Sequence, residues 1–100
     1  MNRELEKFIR VYLNEEQAAD TRGYLRPTLH GFRKEYVEGV REGLATVLTK
    51  RELSTGDYAR LTDVEFDDER ALYAYLQKLF AYLFEDGDKQ PAPPDGQRRT

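Results

Sequence analysis

The densest chemistry in this 100-residue sequence is Asp63-Val64-Glu65-Phe66-Asp67-Asp68-Glu69, where five of seven residues carry carboxylates and Phe66 sits among them. Crowded carboxylates attract a basic surface and accelerate encounter with it, while an aromatic ring among them can serve as an apolar anchor. The candidate partner-binding residues are therefore Asp63, Glu65, Phe66, Asp68 and Glu69, with Tyr73 one helical turn beyond. The same segment also has a local use. Asp67 can cap a following helix, Asp68 and Glu69 then complement the positive end of its dipole, and Phe66 can staple against Ala71 or Leu72. A calcium loop does not fit, because the segment lacks the alternating oxygen ligands and central glycine of an EF-hand.

The remaining reactive residues are sparse. There is one histidine, His30, one serine, Ser54, and no cysteine, so thiolate nucleophiles, disulfides and cysteine-based metal sites are excluded. His30 has no second histidine or carboxylate pair at ligand spacing, and Ser54 has no base at a fixed distance and a capping role of its own. Glu38-Gly39-Val40-Arg41-Glu42-Gly43 falls within a helical pattern rather than after a strand, so it does not read as a phosphate loop. The expectation is a protein that is not an enzyme, with no metal and no cofactor.

Charge narrows the choice of partner. The chain carries a net −3 with a pI near 5.2, which repels nucleic acid and gives it no electrostatic footprint there. The imbalance lies in the second half, where eleven acidic residues face seven basic ones, while the first half has eight against nine. Asp86 to Thr100 is itself neutral, so the acidic excess belongs to the folded part. No run approaches the ~18 apolar residues needed to span a bilayer, and the opening residues mix charges without a signal-type apolar stretch. No membrane association and a reducing, cytoplasmic setting are expected.

The elements that position these residues read as helices. Leu5, Phe8, Ile9, Tyr12 and Leu13 recur at helical spacing behind Asn2 as N-cap, with an end between Asn14 and Ala19 ahead of the break at Asp20-Thr21-Arg22-Gly23. Pro27 suits the first turn of a second helix, and Leu29, Phe32, Tyr36, Val40, Leu44 and Val47 carry its stripe over about 24 residues, ~36 Å. Gly31, Gly39 and Gly43 inside it each cost about 0.8–1 kcal/mol against alanine, which implies close helix contact or a partner helix seated there. Ser54 followed by Asp57 resembles a capping box opening a short third helix that turns Tyr58 and Leu61 inward.

The last helix, capped at Asp67, buries Leu72, Tyr75, Leu76, Leu79, Phe80 and Leu83. Adding Tyr73, Tyr82 and Phe84 widens its apolar arc to roughly 200°, against the ~100° of an ordinary surface helix, so it is either sandwiched or open on one flank. No segment has a convincing period of two. The expected fold is all-α: a small bundle of three long helices and one short helix in a single domain, residues 1–85, followed by a disordered Pro/Gly-rich tail, residues 86–100.

This order of features, with Leu5, Phe8, Ile9 and Tyr12 opening, a long helix near Phe32, a capped segment at Leu53-Ser54 and a closing Leu79-Phe80-Ala81-Tyr82-Leu83, resembles small helical immunity proteins of bacterial contact-dependent growth inhibition systems. The resemblance extends in layout over residues 3–84 and carries over no individual binding residue; the chain also lacks the tryptophans found in several members. It implies a non-catalytic inhibitor that binds a cognate toxin domain, often a basic nuclease, through an acidic surface. The alternative reading is a structural or regulatory homodimer pairing its last helices through Tyr73, Phe80 and Phe84.

Overall fold

The computed structural model describes residues 1–94. Among them the chain is all-helical, in the order α1 (Arg3–Tyr12), α2 (Glu15–Ala18), α3 (Leu25–His30), α4 (Lys34–Lys50), α5 (Thr55–Thr62) and α6 (Glu69–Phe84). Six helices thus stand where four were expected, because two of the predicted long helices are broken.

The first break is made by Asn14. Its side-chain amide donates to the carbonyls of Arg10 and Val11 at 3.0 and 3.2 Å, while its Oδ1 accepts the Gln17 N–H at 3.0 Å. One residue therefore closes α1 and opens α2, and helix 1 stops earlier than its sequence pattern suggested. The second break falls at Gly31-Phe32-Arg33, where Arg33 is extended at φ −59°, ψ 148°. α3 is tied across the C-terminal end of α6: Arg26 donates to the carbonyls of Tyr82 and Gly87, and His30 Nε2 lies 2.9 Å from the Leu83 carbonyl. α4, beyond the break, packs between α1 and α6. Phe32, expected in the core stripe, is left 41% exposed.

The glycines of α4 explain its fit to α1. A Cβ at Gly43 would lie 2.5 Å from Asn2 Oδ1, and one at Gly39 would lie 2.8 Å from Glu4 Cγ. Asn2 caps α1 by accepting the Leu5 N–H at 2.8 Å and, through its amide, donates to the Gly39 carbonyl at 2.7 Å. The glycine cost in helix propensity is offset by this close crossing.

α6 packs on α4 and α3. Leu72, Tyr73, Tyr75, Leu76, Leu79, Tyr82 and Leu83 are all buried, so the wide apolar arc belongs to a helix packed on several sides. Buried tyrosines require partners for their hydroxyls. Tyr82 OH donates to the Gly23 carbonyl at 3.0 Å, and Tyr73 OH donates to the Leu53 carbonyl at 2.8 Å while accepting the Leu53 N–H at 3.0 Å. Tyr75 hydrogen-bonds the hydroxyl of Tyr58.

The expected unordered tail is corrected at its start. The Gly87 N–H donates to the Ala81 carbonyl at 2.9 Å, and Gln90 is buried with its amide on the Asp20 carbonyl at 3.0 Å. Residues 86–90 are thereby strapped against the end of α6 and the α2–α3 connection. Residues 95–100 of that expected tail lie outside the described residues.

Replacing Tyr73 with Phe removes both bonds to Leu53 and leaves its buried N–H and carbonyl unpaired. Urea denaturation should show a loss of about 2 kcal/mol, with the helical circular dichroism of the native state unchanged.

Candidate functional site

The acidic segment is the connection from α5 to α6, and its geometry follows from which residues turn inward. α5 ends at Thr62, whose hydroxyl donates to the Tyr58 carbonyl at 2.7 Å and accepts the Val64 N–H at 3.0 Å. Asp63 is the C-cap in the left-handed region, φ 63°, ψ 19°, a conformation in which Asp and Asn are enriched. Val64 is buried at 4% exposure. Phe66 lies with its ring centroid 5.6 Å from that of Tyr58 and 5.3 Å from that of Tyr75. Asp63, Glu65 and Asp67, in alternation with these two, are exposed. The segment thus holds carboxylates outward because the two apolar residues between them are fixed inward.

The α6 N-cap is Asp68, one residue later than expected, with its carboxylate accepting the Ala71 N–H at 2.9 Å. With the cap at Asp68, Phe66 lies against the Tyr58–Tyr75 pair. Glu69 opens α6 and lies 3.9 Å from the Arg51 guanidinium, which stacks 4.3 Å over the Tyr73 ring.

Two of the sequence-predicted site residues therefore have other roles. Phe66 is partly buried and its ring packs on two tyrosines rather than standing out as an anchor. Tyr73 is 4% exposed, with both hydrogen-bonding functions of its hydroxyl used on Leu53, so it belongs to neither a docking surface nor a dimer contact. Asp63, Glu65, Asp68 and Glu69 do lie together on the exposed connection and the first turn of α6.

The structure also adds residues that the sequence reading assigned to an extended first helix. The turn at Asn14 brings Glu15 and Glu16 to a hollow of about 410 Å³ whose lining also includes Arg10, Leu61 and Asp63. Carboxylates from α2 and from the end of α5 thus converge, although they are 47 residues apart between Glu16 and Asp63. The available signal was Asn14 followed three residues later by Gln17, which reads as a helix start rather than a continuation.

The tyrosines beneath the segment have perturbed acidities. Burial pushes Tyr58 and Tyr75 well above the usual phenol range, and the Tyr75 hydroxyl raises Tyr58 further. Among the described residues there is no group of three or more His, Asp or Glu placed to hold a metal ion, and no helix is long and apolar enough to cross a membrane. No protein-family model matches the chain, and no curated protein or solved structure is significantly similar to it.

Two outcomes are expected from this arrangement. Because the native state holds the Tyr58 and Tyr75 protons more tightly than the unfolded chain does, stability is unaffected below the unfolded phenol pKa near ~10 and falls as pH rises above it. Denaturant titrations across alkaline pH should show that decline, reduced in Tyr75→Phe. Phe66→Ala should release the segment, seen as faster amide hydrogen exchange at Val64, with about 2 kcal/mol of stability lost.

Proposed function

We propose that this chain is a non-catalytic, helical protein-binding module that docks a basic partner on the acidic surface formed by Asp63, Glu65, Asp67 and Asp68. The observation that carries the reading is the alternation in residues 63–67. Val64 and Phe66 are packed inward, so the carboxylates between them are held in place before any partner arrives. Preorganised groups lose less conformational entropy on binding than groups on a free loop. Charge concentrated on one surface mainly raises the association rate.

Glu15 and Glu16 extend the same surface across the hollow beside Asp63. A lysine or arginine of the partner entering there would face the carboxylates of Glu15, Glu16 and Asp63 and the carbonyl end of α5, where the helix dipole is negative, beside Arg10, whose guanidinium lies 3.8 Å from Glu6. An immunity- or antitoxin-like inhibitor of a basic toxin domain is the most specific form of this proposal. A cysteine-free chain suits action in the cytoplasm, where such a toxin would be met.

Size-exclusion chromatography with light scattering, on the protein alone and mixed with the product of the adjacent reading frame, tests the proposal. A monomer shifting to a one-to-one complex is the expected result. Combined Asp63→Asn, Glu65→Gln and Asp68→Asn should slow association about tenfold at low salt and flatten its salt dependence. Stability should change little, since Asn remains a good cap at position 68 and is tolerated in the left-handed conformation at 63. Unchanged affinity and salt dependence would remove this surface from consideration. A stable homodimer indifferent to the neighbour would instead favour pairing through the half-exposed Phe80 and Phe84.

A further inference from the structure

A second open groove, of about 730 Å³, lies at the other end of α6, between α3, the first two turns of α4 and the α6 C-terminus. Its apolar lining is Phe32, Val37, Leu83 and Phe84. The break at residues 31–33 takes Phe32 out of the core stripe and leaves it 41% exposed at this groove, with its ring centroid 5.0 Å from that of Tyr36 and 6.0 Å from that of Tyr12.

The cations of the groove fall into two kinds. Arg26 and His30 are committed to the carbonyls of Tyr82, Leu83 and Gly87, where they close the end of α6. Lys34 and Arg41 are not: among the described residues neither lies within ion-pair distance of a carboxylate. Separated by seven residues, they share one face of α4 about 10 Å apart. Glu38 lies between them and Asp86 at the far lip. The charged lining is then three basic residues to two acidic ones, on a chain with 16 basic and 19 acidic.

These features select the occupant. A small molecule is held well when about 70–90% of its surface is buried, which an open groove does not provide. A second copy of the chain could offer the acidic segment 63–69, but the apolar residues there are packed inward on Tyr58 and Tyr75 and cannot fill the floor. The matching shape is a peptide in the polyproline II conformation, where residues three apart share one face ~9 Å apart, carrying two such carboxylates with an apolar side chain between them.

We propose that this groove is a second docking site, taking an acidic peptide segment of another protein that places an aromatic or aliphatic anchor against Phe32 and Phe84 and carboxylates on Lys34 and Arg41. α6, at 16 residues about 24 Å long, separates the groove from the acidic connection, so the two surfaces can be occupied at the same time.

Selection of a random-peptide phage library on the full chain provides the test. An enriched consensus of acidic residues flanking Phe, Leu or Trp is expected. A synthetic consensus peptide should bind about tenfold more weakly to the Lys34→Glu, Arg41→Glu double variant and more weakly to Phe32→Ser. Binding should be unchanged in the Asp63→Asn, Glu65→Gln, Asp68→Asn variant. Lys34 and Arg41 are exposed, and circular dichroism with light scattering would verify that the charge-reversed variant remains a folded protein of unchanged mass. The absence of an acidic-apolar consensus, or one that binds the double variant equally well, overturns the proposal. A basic consensus lost only in the triple variant also overturns it, while leaving the acidic-surface reading intact.

Discussion

The fold depends on satisfying the hydroxyls that α6 carries into the core. A helix packed on several sides could have been built from leucine alone, but this one places Tyr73, Tyr75 and Tyr82 inside, and each must find a partner or cost about 1–3 kcal/mol. Each partner belongs to a different part of the chain: Leu53 in the α4–α5 connection, Tyr58 in α5, and Gly23 before α3. The tyrosines therefore do more than fill volume. They fix where the connecting segments cross α6, and the connection bearing the carboxylates rests on one of these pairs.

The acidic surface inherits its rigidity from that arrangement. Phe66 packs on the Tyr58–Tyr75 pair, Val64 closes the gap below, and the Thr62 hydroxyl ties the end of α5 to the start of the connection. Two opposite demands meet here, since carboxylates close together repel while the helix N-terminus beside them attracts negative charge. The Asp68 cap and the Arg51–Glu69 ion pair absorb part of the repulsion. The outward carboxylates supply the field.

What could be read in the sequence was local. The Asn2 and Ser54 caps, the inward Tyr58 and the stripe of α6 apart from the half-exposed Phe80 depend on neighbours three or four residues away, and the structure places them as expected. The new helix opening at Asn14, the early limit of the expected end of the first helix, and the break at residues 31–33 were not read, because helical spacing continues through both. The first is enforced by one bifunctional side chain and the second by contacts made 53–61 residues away in sequence. The one-residue shift from Asp67 to Asp68 was not read either, since adjacent aspartates are equivalent as caps. Glu15 and Glu16 escaped notice because their neighbour Asp63 is close only in space.

The strap at residues 86–90 has a consequence for the order in which the molecule comes apart. With four and six residues, α2 and α3 are far below the length at which a helix persists unaided. α3 and the α2–α3 connection are held by Arg26, His30, the Tyr82 hydroxyl and Gln90, and most of these anchors meet at or just beyond the end of α6. Leu25 and Leu29 of α3 add their burial in the core to these contacts, and together they make a unit whose opening is expected to be cooperative. A break anywhere in that unit frees the rest of it, so a cut near Asp20 and a loss beyond Phe84 are two routes to one partly unfolded species, in which α6 keeps its N-terminal half buried and bares its last turns.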